Sequence, residues 1–212
     1  MIRMALLHRA TLRPTKLELL AEWLPTRLWY SPSPGEPQRI AGYRFDDPAD
    51  AVGIETMLIR VGDGPVHQVP LTYRAEPLTG ATAWLIGTAE HSVLGTRWIY
   101  DATGDPVYAT ALTAAILTNS GQADEHFQTD EGLVPRAPTM TITGTPTTQP
   151  LPTITALHQV GGNDPGVIVT DTVELTIRRR LDTATTLTGN VLTGTWPGQD
   201  APVPLAAVTP RR

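Results

Sequence analysis

The sequence predicts an α+β fold: two helices packed on one face of a curved antiparallel sheet, then a small, mostly antiparallel β unit. Three observations carry this. A capped helix opens at Thr15. Alternating strands separated by turn residues follow it, and a second capped helix starts after Asp105. Beyond residue 129 the candidate segments have the period of strands rather than helices. With 212 residues, 41% of them hydrophobic, the chain is long enough to bury a core.

Thr15 and Glu18 form a capping box, with Pro14 just outside it. Leu17, Leu20, Leu24 and Trp23 give the apolar stripe, and Pro25 ends the helix. Ile40–Asp46 reads as a strand. Ile54–Val61 and Val66–Arg74 form a hairpin across Gly62-Asp63-Gly64. Ala83–Val93 reads as a further strand broken at Gly95, and Trp98–Tyr100 extends the sheet. Asp105-Pro106 caps the second helix, whose period runs through Val107, Ala111, Leu112, Ala115 and Ile116 to a stop at Gly121.

A change of character near residues 125–135 divides the chain into 1–128 and 129–212. The prolines from Pro135 to Pro152 read as a stiff connector. After it come candidate strands Thr139–Thr143, Thr153–Gln159, Val167–Thr170, Val173–Arg178, Leu187–Leu192 and Pro202–Val208. Alternation is clearest in Val173–Arg178, and Asn163–Gly166 and Pro197–Asp200 read as turns. A partial barrel is one way to close such a unit.

Composition excludes several functions. The net charge is −5 and charged residues are only 17%, so there is no broad basic face for nucleic acid. Without cysteine there is no disulfide, thiol nucleophile or thiolate metal site. No apolar run is long enough to span a membrane, and Met1–Leu7 is too short for a signal peptide. A soluble cytoplasmic protein is expected. Lys16 is its only lysine, so a mechanism needing a buried lysine has one candidate.

Catalytic patterns are sparse. None of the four serines lies in a nucleophile elbow, and His91-Ser92 would point to opposite faces of a strand. His8, His67, His91, His126 and His158 lack the helical spacing of a metal site. Asp46-Asp47 with Asp50 reads as a solvated turn, and Asp105 serves better as a helix cap than as the acid partner of Asp101 or Glu90. Gly161–Gly166 has no following Gly-Lys-Ser/Thr and no helix after it. Arg178-Arg179-Arg180 reads as a solvated edge strand.

Three ordered stretches carry a resemblance. They are Leu20–Tyr30, with its Trp23-Leu24-Pro25 turn; Gln68–Leu78; and Gly87–Asp101 continued by Asp105–Tyr108. Together they resemble the N-terminal cap region of actinobacterial maltokinases over roughly residues 15–120. The resemblance implies a cystatin-like cap followed by a β subdomain like a reduced kinase N-lobe, and a context in α-glucan and trehalose metabolism. Gly161–Thr170 stands where that lobe has its nucleotide-covering loop, and Leu175–Leu181 where it has its lysine strand. Thr176 occupies the expected lysine position and cannot offset the charge of a triphosphate. The residues after Leu181 leave little room for the helix carrying the lysine's partner, and the family's C-lobe is expected to be absent.

Three readings follow. In the leading one the chain is a non-catalytic binding or regulatory module, partnered by an enzyme of the same glucan pathway. Trp29, Tyr30, Arg97 and Trp98 are the candidate contacts, although a Phe-poor core also needs Trp and Tyr. In the second, Arg97, Trp98, Asp101 and His91 line a sugar or nucleotide site; the alternative for these is a buried Arg–Asp pair fixing the strand-to-helix turn. In the third, the chain is an enzyme, either half of a split sugar kinase or an unrelated hydrolase. No cofactor, metal or membrane partner is expected, and a homo-oligomer stays open.

Overall fold

The computed structural model describes residues 4–7, 11–129, 132–181 and 185–211; His8 lies outside them. In chain order the elements are β1 (Met4–Leu7), β2 (Leu12–Arg13), α1 (Lys16–Trp23), β3 (Pro37–Phe45), β4 (Gly53–Val61) and β5 (His67–Arg74). Next come β6 (Leu85–His91), β7 (Gly95–Asp101), α2 (Pro106–Thr118), β8 (Asp124–Thr129) and β9 (Gly132–Pro135). The last are β10 (Thr141–Thr143), β11 (Leu157–Gly161), β12 (Gly166–Thr170), β13 (Val173–Ile177), β14 (Asn190–Trp196) and β15 (Gln199–Pro210). The class is α+β, and antiparallel sheet is the predominant regular structure of the described residues.

The first sheet has the order β2-β6-β7-β5-β4-β3, every pair antiparallel. The second has the order β10-β14-β15-β13-β12-β11, also antiparallel. A third sheet, β1-β8-β9, pairs β1 parallel to β8. None of its strands is predicted from the sequence, because β1 finds its partner more than a hundred residues away. Strand β3 starts at Pro37, earlier than expected, because an edge strand tolerates the missing N–H.

The helices do not share one face of the first sheet; this corrects the expectation. Leu20, Trp23 and Leu24 of the α1 region pack with Met57, Ile59, Leu71 and Ile99. Tyr108, Leu112 and Ile116 of α2 pack with Tyr43, Ile54 and Leu58, on the opposite face. Period-2 alternation in β4 separates the two sets. The same α2 cluster contains Ile168, Leu175, Ile177, Leu192 and Leu205 from the second sheet. The layer order is therefore α1, first sheet, α2, second sheet. Residues from both sides of the 125–135 boundary share one apolar cluster.

That burial explains why α2 is apolar almost all round: Tyr108, Ala109, Leu112, Ala115, Ile116 and Leu117 are all buried. The helix stops at Asn119, in the left-handed region at φ 52°, rather than at Gly121. The connector finishes the cap. The Asn119 carboxamide accepts from the Gly144 N–H (2.8 Å), and the Thr147 N–H donates to the Leu117 carbonyl (2.9 Å). Gly144 passes so close to the helix end that a Cβ would lie 2.4 Å from the Ile116 carbonyl oxygen.

The second sheet is also stitched to the first. Strand β7 pairs with β5 only along Leu71–Arg74, which leaves the His67 end of β5 open on that side. The residues after β13 fill it. The Gln68 N–H donates to the Arg179 carbonyl (2.8 Å), Leu181 N–H donates to Val66 (2.9 Å), and His67 and Arg180 form an antiparallel bridge. The expectation of a solvated Arg178–Arg180 edge is thus overturned. Arg178 is 2% exposed and Arg179 4%, because this run closes the seam between the sheets. No helix among the described residues is long and apolar enough to cross a membrane.

Candidate functional site

At the seam, Arg179 meets two sequence-selected residues. Its Nη2 donates to Asp101 Oδ2 (2.7 Å), Asp101 Oδ1 (3.0 Å) and Thr103 Oγ1 (3.2 Å). Its guanidinium lies 4.9 Å from the Trp29 ring centroid, a cation–π contact in a dry setting. Trp29 packs edge-on against Trp23 (5.8 Å) and beside His67 (5.9 Å), and Tyr30 lies 5.0 Å from the His67 ring. His67 Nε2 accepts from the Ser31 N–H (3.3 Å). Beyond the ion pair, Asp164 Oδ1 accepts from the Arg179 N–H (2.8 Å). This ties the Gly162–Pro165 turn to the same point.

The six selected residues do not converge on one cleft. Trp29 is buried and Tyr30 half-buried at the seam, with Asp101 buried beneath Arg179. The Asp101 partner is Arg179, 78 positions on, rather than its neighbour Arg97, whose Nη1 donates to the Thr96 carbonyl (3.0 Å). Arg97 and Trp98 lie half-buried along β7, where Trp98 faces Thr88 and Arg74 across the ladders. His91 closes the β6–β7 turn, its Nδ1 accepting from the N–H groups of Val93 (3.2 Å) and Leu94 (3.1 Å).

The weighed acids have structural work as well. Glu90 accepts from Thr96 Oγ1 (2.6 Å). Asp105, fully buried, caps α2 through Val107 N–H (3.0 Å) and takes both Arg74 Nε and Nη2 at 2.7 Å. Asp47 accepts from the backbone N–H groups of Ala49, Ala51 and Val52, a turn as expected. Thr176 sits between Val167 of β12 and Ala207 of β15. Among the described residues no three His, Cys, Asp or Glu side chains are placed to hold a metal ion.

A second cluster is missing from the sequence reading altogether. Glu55, on the α1 face of β4, is 2% exposed. Its carboxylate is held by Lys16, by Arg39 Nη2 at 3.2 Å, by Arg44 Nη1 at 3.7 Å and by the Tyr73 hydroxyl at 2.9 Å. Burial alone would raise the Glu55 pKa; Lys16, Arg44 and Arg39 outweigh it and hold the group well below the usual carboxylate range. Burial, then the Glu55 charge, pushes the Tyr73 hydroxyl up, so it stays a donor. Gly42 makes room: a Cβ there would lie 2.7 Å from Arg39 Nη2. One signal was available. Glu55 falls on the same face of its strand as Met57 and Ile59, where a lone acid demands a cation.

Residues 23–105 match the family model of the maltokinase N-terminal cap domain. That segment runs from the end of α1 through β3–β7 of the first sheet to the cap of α2, and includes both Glu55 and Asp101. No curated protein matches the chain.

Proposed function

Starting from the cap-domain match over residues 23–105, we propose that this chain is a non-catalytic binding module of α-glucan or trehalose metabolism, acting through a protein partner. What supports the reading is Thr176: by the sequence resemblance it takes the place of the lysine with which a kinase lobe grips nucleotide, and its cross-strand neighbours Val167 and Ala207 are uncharged. The engagement of Asp101 and Asp105 in buried ion pairs supports it, because carboxylates so engaged do not face a cleft where a substrate could meet them. On this reading the first sheet and its helices form a cystatin-like cap, and the second sheet a reduced kinase N-lobe, in a cytoplasmic protein.

Trp29 and Tyr30 face inward, so the outward contact of the same loop is Leu28, 86% exposed. Arg27 lies beside it, with its guanidinium 5.0 Å from the Trp23 ring. Incubation of the purified chain with labelled ATP and maltose is expected to give no phosphoryl transfer. Leu28→Asp is expected to lower recovery of a glucan-pathway enzyme by the tagged chain while leaving its fold intact. Transfer by the chain alone would overturn the non-catalytic reading, and unchanged recovery would overturn the Leu28 surface.

A further inference from the structure

The Glu55 cluster carries more positive charge than it needs. Three cations surround one carboxylate, a formal surplus of two positive charges in a chain whose net charge is −5. A structural ion pair is satisfied by one partner, and a second and third cation at the same acid repel each other. Arg39 and Arg44 also have donors to spare. Each touches Glu55 through one terminal nitrogen, and neither guanidinium has another hydrogen-bond or ion-pair partner among the described residues. Their Nε atoms are buried and unpartnered. Both side chains still reach solvent, at 24% and 17% exposure, and Lys16 does so at 31%.

We propose that Arg39 and Arg44, drawn together over Glu55, form the seat of a phosphate-type oxyanion, with Lys16 completing its rim. Glu55 is the organiser. From β4 its carboxylate lies 3.2 Å from Arg39 Nη2 and 3.7 Å from Arg44 Nη1, and so holds two forks of the same strand, β3, over one acid. The outer N–H groups then face a ligand that can accept several bonds from planar donors at once, which is the chemistry of a phosphate. The cavity of about 240 Å³ that Arg44 also borders is a poorer seat. Asp124 and Glu125 line it together with Arg136, and they repel an anion. The site is independent of the protein-partner reading.

The test is a titration of the 15N-labelled chain with inorganic phosphate at fixed ionic strength, with chloride as the balancing salt. Saturable shifts are expected at the backbone amides of Arg39–Arg44 and of Gly53–Thr56. Arg39→Gln and Arg44→Gln are each expected to raise Kd about tenfold or more. Where a Gln variant fails to fold, Arg39→Lys or Arg44→Lys keeps a charge beside Glu55 without the fork, and is expected to weaken binding in a folded protein. A parallel titration with phenyl phosphate distinguishes the source. Binding as tight as or tighter than that of inorganic phosphate supports a phosphate monoester, and binding of inorganic phosphate alone supports the free ion. The proposal is overturned by no saturable shift with either probe, by shifts centred elsewhere, or by an unchanged Kd in the folded arginine variants.

Discussion

Glu55 shows how much one side chain decides. A carboxylate at 2% exposure costs several kcal/mol to bury, and three cations with the Tyr73 hydroxyl offset this. Removing the charge strands those cations, so Glu55→Gln is expected to destabilise the fold by about 3–5 kcal/mol in urea unfolding at neutral pH. The pH dependence has a definite sign. Folded Glu55 is held below the usual range, whereas in the unfolded chain it titrates near about pH 4.3. In acid the unfolded state therefore binds the extra proton. The contribution is complete above about pH 4.3 and declines as pH falls below it. Urea melts at pH 6 and pH 3.5 should show the gap between wild type and Glu55→Gln narrowing in acid; a gap independent of pH would count against this assignment.

The two helices are fixed by different means. Helix α1 is short, and its capping box is complete: Thr15 Oγ1 accepts from Glu18 N–H, and the Glu18 carboxylate accepts from Thr15 N–H. Those bonds lie at the surface, so Thr15→Ala is expected to cost about 1 kcal/mol. Helix α2 starts at Asp105, where the cap is fully buried and also neutralises Arg74. Asp105→Ala removes the cap and leaves a mostly buried guanidinium unpaired, so a loss of about 3 kcal/mol or more is expected. Comparing the thermal midpoints of the two variants checks the ranking; equal losses would mean that Arg74 finds other solvation. Both helix starts were legible because caps act over three residues. The end of α2 was not, because Gly144 and Thr147 of the distant connector satisfy its last turn.

At the scale of the molecule the seam decides whether the sheets behave as one. Gln68 is its central residue, with no exposed surface. Its Nε2 donates to the carbonyls of Arg178 (2.8 Å) and Leu205 (3.0 Å), and its Oε1 accepts from the Tyr43 hydroxyl (3.3 Å). Gln68→Leu removes these three bonds from a fully buried site, at a cost of about 2 kcal/mol. Because the α2 cluster spans both sheets, that loss should shift a single transition. Far-UV circular dichroism and tryptophan fluorescence, which samples Trp23 and Trp29 beside one cluster and Trp196 in the other, should give the same midpoint. Two separated transitions would show that the sheets unfold independently.

The sequence by itself determined the local grammar of this protein: two capped helices, the β4–β5 hairpin, most strands of both large sheets, and the Asp47 turn. These depend on neighbours a few residues apart, where propensity and alternation act. Only the tertiary structure decided that the helices take opposite faces, that Arg178 and Arg179 are buried, and that Asp101 pairs with Arg179 rather than Arg97. It likewise gathered Lys16, Arg39, Arg44 and Tyr73 around Glu55. The reason is common to all four. A charge far along the chain changes the meaning of a residue only once the backbone has brought it within a few ångströms, and a single sequence does not record that distance.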